Sequence, residues 1–94
     1  MVHRVTAVEV LDGYRLLLSF EDGLRTEVDF SDDLSGPLAA RLRDPVYFAQ
    51  VRVDQESRTI AWPNGFDPDP DVLRGDEPPV DGSRLRVRRI QTVP

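Results

Sequence analysis

Three aspartates at alternate positions, Asp67, Asp69 and Asp71, are the most suggestive chemistry-bearing side chains in this 94-residue chain. Carboxylates at positions 1, 3 and 5 open a calcium loop of the EF-hand type, which also requires Gly at its sixth position and a bidentate Glu at its twelfth. Here the sixth is Val72 and the twelfth is Pro78, and Pro68 and Pro70 stiffen the intervening backbone. Helix capping is the competing use of the same side chains. Asp69 stands before Pro70 as an N-cap stands before a first-turn proline, and Gly75 then ends the turn through Val72 and Leu73. Capping is the favoured reading. A weak magnesium site made of two carboxylates and water is the minor one.

Other chemistries find less support. His3 is the sole histidine, and the chain has no cysteine, which removes thiolate nucleophiles, disulfides and zinc-thiolate sites. The five serines lack a G-x-S-x-G setting, and no glycine-rich phosphate loop occurs. Acidic residues are plentiful, but no pattern places two in an apolar pocket that would separate their pKa values. No catalytic, cofactor-binding or metal-binding residue is therefore expected, and an enzyme is the weak reading.

The last twenty residues hold a different candidate. Arg84, Arg86 and Arg88 alternate with Leu85 and Val87, the pattern of a strand with one cationic and one apolar face. Two readings stay open for them: an added edge strand or loose tail, and an arginine surface for an acidic protein or nucleic acid. Net charge is −5, and all twelve basic residues are Arg, a usage that a GC-rich genome explains as well as function does. Residues 1–74 hold eight Arg against fourteen acids, net −6, whereas residues 75–94 hold four against three, net +1. An acidic body argues against nucleic-acid binding by the folded part.

The elements that must carry these residues are read from alternation. In YRLLLSF, Tyr14, Leu16, Leu18 and Phe20 share a face; in LRTEVDF, Leu24, Thr26, Val28 and Phe30 do so. A three-residue loop at Glu21-Asp22-Gly23 pairs these sets in order, Phe20 with Leu24 through Tyr14 with Phe30, and sets Arg15 opposite Asp29. A two-residue loop would scramble the faces. Asp12-Gly13 reads as a two-residue hairpin joining RVTAVEVL to the middle strand. That places Val8, Val10 and Leu17 together in a smaller apolar patch on the second face, to be covered by the C-terminal segment or a second copy. Pro37 can open a short helix carrying Leu38 and Leu42. Asp44-Pro45 caps another with Tyr47 and Phe48 inward. A second hairpin pairs Val51 and Val53 with Trp62 and Ile60, turning near Glu56-Ser57.

The stretch WPNGFDPDP has a local structural task at every position. Asn64-Gly65 is a turn, Asp67-Pro68 keeps the chain extended, and Trp62 fills core beside Ile60 and Leu73. The order of motifs resembles the small bacterial family called domain of unknown function 2442. The matching residues are Phe20, Asp22 and Gly23; Asp29 and Phe30; Leu42, Asp44, Pro45 and Phe48; then Trp62, Pro63, Asn64, Gly65, Asp67, Pro70 and Leu73. Departures are Phe66, where a small residue is usual, and Asp71, where Glu is common. The resemblance covers roughly residues 2–74. It implies a small α+β fold with no established activity, and a genomic layout of the toxin–antitoxin kind that points to a protein partner.

These readings give an α+β fold, a mainly antiparallel sheet of about five strands built from hairpins, with two or three short helices packed on one face. Residues 1–74 form the domain, and 75–94 a linker with an Arg-rich strand or tail. Trp62, Pro63, Asn64, Gly65, Asp67 and Pro70 are a structural motif. Val8, Val10, Leu17, Arg84, Arg86 and Arg88 are the candidate interaction surface. The expected role is a protein-interaction module, with a homodimer as one form and nucleic-acid binding through the tail as the alternative. No signal peptide or membrane span is recognisable, so a cytoplasmic location is expected.

Overall fold

In the computed structural model, residues 4–32, 39–76 and 85–90 are described. His3, Pro37, Leu38, Pro78 and Arg84 lie outside them. The chain runs β1 (Val5–Leu11), β2 (Arg15–Phe20), β3 (Arg25–Asp29), a 3-10 segment (Ala39–Arg43), α1 (Pro45–Phe48), β4 (Arg52–Asp54), β5 (Thr59–Ala61), α2 (Pro70–Arg74) and β6 (Arg86–Ile90). Six strands are thus present among the described residues, in two antiparallel sheets rather than one: β1-β2-β3-β6 and the hairpin β4-β5. Both helices are short, and the Leu42 turn is a 3-10 helix.

The β2–β3 hairpin forms as its alternation requires. Leu16 faces Val28, Leu18 faces Thr26 and Arg15 faces Asp29. The three-residue loop is closed by the Phe20 amide donating to the Leu24 carbonyl at 2.9 Å, with Gly23 at φ 91°. In the second hairpin Val53 faces Ile60, again as its pattern requires.

The β1–β2 turn differs from its expectation. Leu11 pairs with Arg15, so three residues intervene, and positive φ falls on Gly13 and Tyr14 rather than on Asp12 and Gly13. The slip of one residue moves every β1 side chain to the other face. Val8 now faces Leu18 and Val10 faces Leu16, both on the core side, while Leu17 lies between Glu9 and Glu27 on the opposite face. The grouping of Val8, Val10 and Leu17 is therefore corrected: they do not share a face. A β-bulge between Val5 and Ala7 restores Val5 to the core side, opposite Phe20.

The core lies on one face of the four-stranded sheet. Val5, Leu16, Leu18, Phe20, Val28 and Phe30 meet Leu42, Tyr47, Phe48, Ile60, Trp62 and Leu73 from the covering segments. Burying such side chains is the main source of stability, at about 25 cal/mol per Å² of apolar surface. One polar group joins them. Thr26 is fully buried and its hydroxyl donates to the Leu73 carbonyl at 2.9 Å, tying α2 to β3. Thr26→Val keeps the shape but leaves that carbonyl without its partner. Stability should fall by about 1–2 kcal/mol in a urea titration.

The C-terminal strand extends the sheet instead of lying across its second face. β6 pairs antiparallel with β3, Val28 facing Val87 and Glu27 facing Arg88.

Candidate functional site

The closing segment is anchored by Trp62, while Pro63, Gly65, Asp67 and Asp69 stay exposed. Trp62 is 1% exposed, and its indole N–H donates to the Phe48 carbonyl at 2.9 Å. Its ring lies 5.6 Å from Phe30 and Phe66 and 5.7 Å from Phe48. Asn64 receives the chain as it turns: its amide donates to the Tyr47 hydroxyl at 2.8 Å, and its side-chain oxygen accepts from the Phe66 amide at 3.1 Å. Gly65 adopts φ 89°. Pro68 offers its carbonyl to the Thr59 hydroxyl at 2.8 Å. Asp69 caps α2 by accepting from the Asp71 amide at 2.9 Å, and Gly75 ends the helix in the left-handed region. Phe66, in place of a small residue, completes the aromatic cluster around Trp62. Among the described residues, no three potential metal ligands converge, Asp67, Asp69 and Asp71 included.

Sequence reasoning missed an ionic clamp beside this segment. Arg74 is 6% exposed, although a charged residue at a helix end is normally solvated. Its guanidinium meets both oxygens of Asp22 at 2.9 and 3.1 Å and Asp76 at 2.9 Å, and lies over the Phe20 ring at 4.9 Å. Arg89 from β6 donates to the Arg74 carbonyl at 2.9 Å and also pairs with Asp76. The loop Asp22, α2 and β6 are thereby joined. Hydrogen bonding to Asp22 above all, against the effect of burial and with help from Asp76, raises the Arg74 pKa beyond its already high value. Arg74 in turn lowers the Asp76 pKa, through its hydrogen bond first and then the charges of Arg74 and Arg89, against a smaller burial effect.

The second face of the sheet carries the tail arginines. Arg88 pairs with Glu27 at 2.8 Å, Arg15 with the same Glu27 at 2.9 Å, and Arg86 with Asp29 at 3.2 Å and Asp32 at 2.9 Å. The cations and carboxylates interleave rather than forming a field of one sign. Burial would raise the Asp29 pKa, but hydrogen bonds from the Ser31 hydroxyl and amide, with the charges of Arg86 and Arg15, hold it below its ordinary value.

These two depressed aspartates set a pH dependence. A carboxylate with a lower folded than unfolded pKa contributes stability above the unfolded value and loses it as pH falls through the folded one. The thermal midpoint should therefore drop as pH falls below the ordinary 3.8. In Arg74→Met that acid limb should be shallower, because Asp76 then titrates nearer its ordinary value; parallel acid limbs in thermal melts would refute this coupling.

A mainly apolar groove of about 310 Å³ opens where the β1–β2 turn meets α1, lined by Val10, Leu11, Gly13, Tyr14, Pro45 and Phe48, with Asp12 as its one charged residue. Two large apolar side chains are exposed in the molecule's described part, Val10 at 41% and Val46 at 72%; Val10 lines the groove and Val46 follows Pro45. Tyr14, held at φ 63°, fixes the mouth by packing edge-on against Phe48 and donating its hydroxyl proton to the Arg43 carbonyl. A smaller depression of about 170 Å³, lined in part by Arg4, Asp54, Gln55 and Arg58, lies at the start of β1. Of the candidate surface residues that are described, Val10 alone belongs to the groove. Val8 is packed against the core, Leu17 is flanked by carboxylates, and Arg86 and Arg88 are ion-paired.

Among the described residues, no helix is long and apolar enough to cross a membrane. No curated protein and no solved structure matches the chain. The family described as "Protein of unknown function (DUF2442)" matches residues 5–79, which takes in the three hairpins β1–β2, β2–β3 and β4–β5, the Trp62 segment, α2 and the Asp22–Arg74–Asp76 clamp. The chain belongs to that family.

Proposed function

We propose that this domain is a non-enzymatic protein-interaction module that receives an apolar side chain of a partner protein in the Tyr14–Phe48 groove. The observation that carries the reading is an aromatic-walled groove with exposed Val10 in its lining and exposed Val46 next in sequence to its Pro45, the two large apolar side chains left exposed among the described residues. The interior supports it too: among the described residues, every buried side-chain nitrogen and oxygen has a hydrogen-bond partner. Its polar groups are engaged with the fold itself. A toxin–antitoxin-type pairing is one form such a partnership would take. The pairing of Arg86 and Arg88 with carboxylates weighs against the alternative, nucleic-acid binding through the tail.

The test is affinity purification from the native cell with three baits: the unmodified chain, Val46→Glu and Gln50→Glu. Val46 and Gln50 are both exposed, so neither change should disturb the fold. A partner retained by the unmodified chain and Gln50→Glu but lost by Val46→Glu is the expected result. Equal retention by all three would remove the groove from consideration.

A further inference from the structure

The four-stranded sheet has two edges, β1 and β6, and they are dressed differently. The β6 edge carries Arg86, Arg88 and Arg89, and charged side chains on an edge strand discourage another strand from pairing there. The β1 sequence, VTAVEVL, has a single charge, Glu9, and neither Arg nor Pro. Its bulge at Thr6 guards only the beginning, where the Val5 amide already donates to the Arg58 carbonyl of the β4–β5 turn at 3.1 Å. From Ala7 to Leu11 the register with β2 is continuous, and Ala7, Glu9 and Val10 are exposed. The β4–β5 hairpin packs beside the start of β1, but among the described residues no strand is hydrogen-bonded to β1 on that outer side. A strand edge offers alternating backbone donors and acceptors, which identifies the occupant as another extended strand.

We infer that β1 pairs antiparallel with β1 of a second copy, joining two four-stranded sheets into one of eight strands. This goes beyond the groove reading, because it rests on the backbone edge and not on the apolar hollow. A two-fold axis normal to the sheet keeps each face on its own side, so the pairing must be centred on a residue. Centring on Glu9 would oppose two like charges. Centring on Val8 sets Val8 against its own copy on the core face and Ala7 against Glu9 of the second copy, twice, on the other. In this register no two like charges stand opposite each other. Each copy carries a net charge of −5, so added salt strengthens the pair by screening.

Sedimentation equilibrium of the full chain over a wide concentration range tests this. The expected result is a monomer–dimer equilibrium that shifts toward dimer with salt. Ala7→Glu places a carboxylate against Glu9 in each of two pairs and should weaken the dimer about tenfold or more, while Ala7→Lys should tighten it. Gln50→Glu and Gln50→Lys change the net charge equally at an exposed position outside the sheet and should move the equilibrium far less. Circular dichroism confirms the fold of each variant. A monomer at the highest concentration overturns the inference, as does a dimer that responds identically at positions 7 and 50. Val46→Glu leaves the dimer intact, so loss of partner capture and loss of self-association are separate results.

Discussion

Replacing Trp62 with alanine should abolish cooperative unfolding at ordinary temperature. The indole is 1% exposed, touches the rings of Phe30, Phe48 and Phe66, and satisfies the Phe48 carbonyl. Removing a buried aromatic of this size costs about 3–5 kcal/mol. Domains of this length sit near the lower end of a stability range of roughly 5–15 kcal/mol, so the loss consumes most of what holds the chain folded. Trp62→Phe is the informative companion. It keeps most of the apolar contact but deletes the N–H, leaving a buried carbonyl without its donor, and should cost about 1–3 kcal/mol. Near-ultraviolet dichroism and urea midpoints separate the three proteins. A Trp62→Ala variant with a native midpoint would show that the indole does not sit in the core.

Arg74→Met is expected to be the second most damaging change. Methionine can still lie over Phe20, but Asp22 and Asp76 lose the cation they share, and Arg89 loses the aspartate geometry that orients it. Breaking a fully buried pair costs about 3–5 kcal/mol; these carboxylates are partly exposed, so about 2–3 kcal/mol is the expectation here. Arg74→Lys should rescue little, because one ammonium cannot reach both Asp22 oxygens and Asp76 with the planar fork that guanidinium provides. The measurement is the urea midpoint of both variants. A lysine variant as stable as the parent would mean that charge alone, not geometry, makes the clamp.

The two changes also mark what could be read from residue order. Trp62 stood in a segment whose every neighbour had a turn or cap preference, and Asp69-Pro70 and Gly75 announced the ends of α2 without help from distant residues. The β2–β3 register was equally legible, since two alternating runs and one glycine leave a single loop length that matches faces. The Thr6 bulge was not read, although a trace of it exists: Val5 and Val8 are three apart, an interruption of the alternation that Val8 and Val10 keep. Without the bulge, the Asp12-Gly13 pair suggested the wrong loop and put Val8 and Val10 on the wrong face. Arg74 was invisible for a different reason. Its partner Asp22 is 52 positions away, and no local pattern distinguishes a solvated arginine from one that closes a loop onto a helix.

The pairing of β6 with β3 bears on the order in which the molecule assembles. The first three strands form a meander whose connecting turns hold three residues each, so their contacts close quickly at small entropic cost. The rungs from Asp29–Arg86 to Arg25–Ile90 join residues 57 to 65 positions apart and must wait for the intervening chain to collapse. Until then β3 is itself a bare border of the nascent sheet. Its outward carboxylates, Glu27 and Asp29, then repel like strands from neighbouring molecules, and the same acids later receive Arg88 and Arg86. One set of charges thus acts first as a guard against premature association and afterwards as the guide that brings the last strand home.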